Sequence, residues 1–158
     1  MNSEKQHERL EFLFRVVEKE IQHLQYAMDQ VFSQRITPQT VQKLEQLPEL
    51  ALKIEGFTSR FCRLQDTLGD KLLPALLLSL GESKAPLLIN LDKAEKYGWL
   101  DSSDDWLSMR SLRNQMVHEY IEDPTLFLDA IEAARAATPM LVAFSEKLKQ
   151  TYTNQSSK

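Results

Sequence analysis

Apolar residues recur at intervals of three and four along almost the whole chain, and no segment alternates apolar and polar residues as a half-buried strand would. The longest such series, Leu10, Leu13, Val17, Ile21, Leu24, Met28 and Val31, draws a seam of about four heptads and predicts a first helix from about Ser3 to Ser33. With only four glycines among 158 residues, the pattern specifies an all-α fold, an antiparallel helical bundle of about five to six helices. At 42% hydrophobic content the chain can bury one ordinary core, so residues 1–152 read as a single helical domain and the polar stretch 153–158 as a flexible tail. Phe12, Phe14, Val16 and Phe32 lie off the seam, which leaves a second face of the first helix to be covered, for instance by another subunit.

Capping residues and prolines divide the rest. Thr37-Pro38 is a cap followed by proline at the first helical position, and opens a short helix carrying Val41, Leu44 and Leu47 that Pro48 interrupts. From about Glu49 a longer helix places Leu50, Ile54, Phe57, Phe61, Leu64 and Leu68 on one face, with Arg60, Arg63 and Asp66 on its other sides. Gly69 and Pro74 are expected to bend or break it before the leucine-rich run Leu72 to Leu80. Gly81 to Pro86 is the clearest loop, and Leu87 to Tyr97 is a short helix ended by Gly98. A helix from about Ser103 to Ile121 is capped by Ser102 or Ser103, with Asp104 and Asp105 at its positive end. Asp123-Pro124 stops it and opens the last helix, whose inner face is Leu126, Phe127, Ala130, Ile131, Ala134, Ala137, Leu141 and Phe144 and which Pro139 is expected to kink.

Several functions are disfavoured at this point. Leu72 to Leu80 is too short to span a bilayer, and Met1 to Gln6 does not resemble a signal peptide, so the expected location is cytoplasmic, without a membrane partner. Cys62 is the only cysteine, which removes an internal disulfide and a zinc knuckle. A formal charge of −4 and a pI of about 5.4 give no global basic footprint for nucleic acid. They leave room for a local one, for which Arg60, Arg63, Arg110 and Arg113 are the candidates.

The densest chemistry is Arg113-Asn114-Gln115-Met116-Val117-His118-Glu119-Tyr120. On a straight helix Trp106, Met109, Met116, Val117 and Tyr120 fall within about 60° of Arg113, which puts a permanent charge in the middle of an apolar stripe. His118 lies about 140° round from Arg113, on the polar flank with Ser111 and Asn114. One reading is bland: Arg113 snorkels, His118 is a surface residue and Tyr120 a packed aromatic. Against it, an unpaired charge amid apolar residues is costly and must find a carboxylate, a phosphate or a partner chain. His7 and His23, among charged neighbours, read as surface residues.

Arg113, four residues, His118, one residue, Tyr120 matches the R-x4-H-x-Y motif of HepT toxins, and the chain resembles that branch of the all-helical HEPN superfamily. Asn114 fits the polar position that often follows the arginine. The likeness extends over most of the chain as architecture and over about eight residues as chemistry. It implies a two-fold homodimer with the motifs across a shared cleft. It also implies an endoribonuclease toxin restrained by an MntA-like nucleotidyltransferase antitoxin, which in such pairs can transfer AMP to the motif tyrosine, here Tyr120. A phosphate on Tyr120 could pair with Arg113 and block RNA from it.

The residues suggest a compatible, metal-independent chemistry. No H-E-x-x-H, no carboxylate pair opposite the histidine and no glycine-rich phosphate loop is present, so no metal or cofactor is expected. RNA can be cleaved by attack of its 2′-hydroxyl on the adjacent phosphate, given a base, an acid and a cation for the phosphorane. Histidine can carry the proton and arginine can fork onto the phosphate. One such histidine per chain for two proton transfers points to a dimer, with Asn114 orienting the imidazole or the phosphate. Two other readings stand beside this one. The chain could be a non-catalytic substrate-binding subunit of a minimal nucleotidyltransferase, or a plain helical scaffold in which Arg113 pairs with Asp66 or another carboxylate of its own subunit.

Overall fold

A computed structural model describes residues 3–156, with the side chains of residues 118–121 and 156 outside the description. The fold is an all-helical bundle. Its elements are α1 (Ser3–Phe32), α2 (Pro38–Gln42), a 3₁₀ turn (Leu44–Gln46), α3 (Pro48–Asp66), a π-helical turn (Thr67–Leu72), α4 (Leu73–Ser79), α5 (Leu87–Lys96), α6 (Ser103–Glu122) and α7 (Pro124–Ser156). With α3, the π turn and α4 taken as one unbroken run, the described residues hold six helical elements, at the upper end of the number expected. No helix among them is long and apolar enough to cross a membrane.

The seam of α1 is buried as its spacing requires: Leu10, Leu13, Val17, Leu24 and Val31 lose almost all exposure, and Ile21 and Met28 pack at the margin. It meets the apolar face of α3, where Leu50, Ile54, Phe57, Phe61 and Leu64 are all buried, as is Leu68 in the π turn that continues it. Two of the residues off the seam are covered by this chain itself. Phe14 lies against Tyr152 of α7 (ring centroids 5.3 Å apart) and Phe32 meets the edge of Phe57 (5.6 Å), with Arg135 over its other face. Phe12 stays half exposed.

Short-range chemistry fixes the joints. Thr37 and Thr40 form a reciprocal capping box ahead of Pro38. Ser102 Oγ accepts from Asp105 N–H at the start of α6, and Asp123 Oδ1 accepts from the N–H groups of Thr125 and Leu126 at the start of α7. Since Asp123 alone separates α6 from α7, the two helices form a tight hairpin. Gly81 and Gly98, with φ of +89° and +80°, end α4 and α5. At each, the next residue's N–H reaches back five residues, Glu82 to Leu77 and Trp99 to Ala94, a closure that needs the left-handed backbone glycine adopts freely.

The chain does not break at Gly69 and Pro74: it widens into the π turn, where Leu73 N–H bonds Leu68 C=O, and resumes as α4 with Pro74 in its first turn, where a missing N–H is tolerated. The polar end does not fray before Ser156. Tyr152 is buried, and Gln155 Nε2 donates to Ser79 C=O at 3.0 Å, tying the last turns of α7 to α4. Leu126, expected inside, is 46% exposed, and α7 continues through Pro139.

Candidate functional site

Arg113 projects from α6 toward α3, where its Nη1 donates to both carboxylate oxygens of Asp66, at 3.0 and 2.9 Å. The geometry departs from the stripe drawn on an ideal helix. Trp106, Met109 and Met116 are buried, but Val117 is 57% exposed and the Arg113 side chain 47% exposed, so Arg113 stands at the edge of the buried face rather than amid it. That position lets the guanidinium keep water while Asp66 supplies the counter-charge. The bonds to Asp66 hold Arg113 protonated even more firmly than usual. Nε and Nη2 carry no hydrogen bond among the described residues, so the ion pair occupies one corner of the guanidinium only.

The pair sits on the wall of a groove of about 860 Å³ between α3 and the α6–α7 hairpin, within the size range of small-molecule sites. Ile54, Met116 and Phe127, all buried, give it an apolar floor. One wall is a polar stripe at four-residue spacing, Thr58, Cys62 and Asp66 on α3 and Asp70 on the π turn, all facing the groove. This stripe was readable in the sequence as i, i+4, i+8, i+12, but mixed residue types hid it. Thr58 Oγ1, on this wall, is enclosed with no hydrogen-bond partner among the described residues. Burial pushes the Cys62 thiol up, which nearby Arg113 only partly opposes and Asp66 adds to, so the neutral thiol is favoured over the thiolate.

The other candidates are distributed unevenly. Arg63 lines the same groove as Arg113. Arg60 does not: its guanidinium donates to the backbone carbonyl of His23, a link between α3 and α1 that uses the charge structurally. Arg110 and Asn114 are exposed on α6 and are not among the groove residues. His118 and Tyr120 lie on α6 five and seven residues beyond Arg113, but their side chains are outside the described residues. His7, read as a surface residue, is half exposed yet engaged: the buried Tyr152 hydroxyl bonds His7 Nδ1 and Glu11 Oε1, joining α1 to α7. Among the described residues no three His, Cys, Asp or Glu side chains gather as a metal site requires.

Behind the groove, on the α1 side of α3, Glu20 is pushed above the usual carboxylate value by burial, which the Thr67 hydroxyl and then Arg63 and Lys71 only partly oppose. The folded chain therefore binds this proton more tightly than the unfolded chain does. The stability gained is fully present below the ordinary carboxylate value and is lost as pH rises through the raised one. Glu20→Gln should thus raise the melting temperature at neutral pH, with the gain shrinking on acidification in melts across pH 4 to 8. A lower melting temperature at neutral pH would show that attraction to Arg63 and Lys71 outweighs burial.

No family model, no curated protein and no solved structure matches this chain. The reading of its function therefore rests on the motif and the groove.

Proposed function

We propose that the protein is a HepT-like endoribonuclease toxin, acting without a metal as a two-fold homodimer. The observation that carries this is Arg113: a half-exposed guanidinium on the wall of a ligand-sized groove, with Nη1 anchored and Nε and Nη2 unbonded among the described residues and open to phosphate. In the dimer the 2′-hydroxyl attacks the adjacent phosphorus and passes its proton to His118 of one protomer. The P–O5′ bond then breaks, the leaving 5′-oxygen taking a proton from the other protomer's His118. The products are a 2′,3′-cyclic phosphate and a 5′-hydroxyl. Arg113 stabilises the charge on the phosphorane, and Asn114 orients the imidazole or the phosphate.

The proposed partner is an MntA-like nucleotidyltransferase that restrains the toxin by transferring AMP from ATP to the Tyr120 oxygen, with release of pyrophosphate. Expression of the wild type alone should arrest growth and fragment RNA, whereas His118→Ala should do neither. Equal growth and equally intact RNA would remove the nuclease reading. Incubation with partner and ATP should add one AMP mass to wild type and none to Tyr120→Phe.

One observation favours a second reading. The Arg113–Asp66 pair lies within one subunit, as expected of a plain helical scaffold. Comparing Arg113→Ala with Asp66→Asn separates the two.

A further inference from the structure

The geometry points to the groove between α3 and the α6–α7 hairpin as a nucleoside seat, holding one base and ribose of the RNA while Arg113 takes the attached phosphate. This rests on the nuclease reading for the identity of the ligand, and on the groove for its shape. A site for phosphate alone would need little beyond Arg113 and its neighbours. Here the charged wall adjoins an apolar floor, Ile54, Met116 and Phe127, which matches a ligand with one flat, weakly polar body and one anionic end. The charges make the same distinction. Arg63, Lys71 and Arg113 around the groove are balanced by Glu55, Asp66 and Asp70, so it has no net attraction for a bare anion. Affinity must then come from covering the apolar surface the groove leaves open, above all Val117, 57% exposed where the floor beneath is closed, with the Nε and Nη2 donors of Arg113, unbonded among the described residues, fixing the orientation.

The chain carries its own reporters. Met116 is on the floor, whereas Met109, two turns earlier on α6, is buried away from the groove. With methionine methyl groups labelled with carbon-13, titration of the full chain with adenosine or uridine 3′-monophosphate should move the Met116 signal saturably and leave Met109 in place. Inorganic phosphate and uncharged nucleoside should each bind at least tenfold more weakly. Ser59→Trp, an exposed groove residue on α3 outside the proposed catalytic set, should fill the seat, abolish the shift and lower RNA cleavage at least tenfold.

The seat is overturned by the absence of a Met116 shift at ~10 mM nucleotide, a level that would reveal even millimolar affinity, or by inorganic phosphate binding as tightly as nucleotide. Failure of the seat and failure of the nuclease reading differ in outcome. Cleavage unchanged in Ser59→Trp sinks the seat alone, and a nucleotide-dependent Met116 shift in a protein that cleaves no RNA sinks the nuclease alone.

Discussion

Arg113→Ala should lower RNA cleavage by about a hundred- to a thousandfold, the usual loss when one donor to a developing negative charge is removed. The same substitution should cost the fold only about 0–1 kcal/mol, because its ion pair with Asp66 is between a third and a half exposed and solvent screens it. The disparity is what tests function. If the pair were only a brace between α6 and α3, Arg113→Ala and Asp66→Asn would be near-equivalent, each slightly destabilising and neither affecting RNA. If Arg113 serves phosphate, the two diverge: Asp66→Asn keeps an acceptor for Nη1, removes a repulsive carboxylate from the groove, and should leave cleavage within about tenfold of wild type while tightening RNA binding. Single-turnover cleavage, RNA affinity and melting temperature of both variants decide it. Equal activity in wild type and Arg113→Ala would end the catalytic reading.

The parts of this structure that were legible in the sequence are those set by local chemistry. The α1 seam, the α3 face, the Thr37 and Asp123 caps and the Gly98 stop each follow from residues close in the chain, and each is where its spacing puts it. The site was legible only as a motif. A helical wheel centred Arg113 on an apolar stripe because Val117 counts as apolar, yet Val117 is exposed, and what places Arg113 at a groove edge is α3, 47 residues earlier in the chain. Long-range pairs of this kind leave no periodic signal. Arg60 illustrates the converse: a cation on the polar side of α3 looks available for phosphate until the carbonyl of His23 is found beneath it.

Gly69, inside the π turn, leads to the largest expected effect on stability. Its lack of a side chain is used for contact, not for a break: a Cβ there would lie 2.9 Å from Trp106 Cζ2 and 3.3 Å from Cε2, closer than packed carbons tolerate. Trp106 cannot yield easily, being 1% exposed and set against Phe144 at 5.0 Å between ring centroids. Trp106→Ala should therefore destabilise the fold by about 3–5 kcal/mol, a large share of the roughly 5–15 kcal/mol such a domain has. For a chain of this length that is a fall in melting temperature of very roughly 6–20 °C. Gly69→Ala tests the cause. In the wild type, overpacking of about 1–3 kcal/mol should match or exceed the ~1 kcal/mol that alanine gains over glycine within a helix. In the Trp106→Ala background the clash is gone and only the propensity gain remains, so the same substitution should become stabilising. A double-mutant cycle read by urea unfolding would show this as a coupling of about 1–3 kcal/mol, the whole of the overpacking term. Additive effects would mean that the π turn, not the indole, dictates glycine at this position.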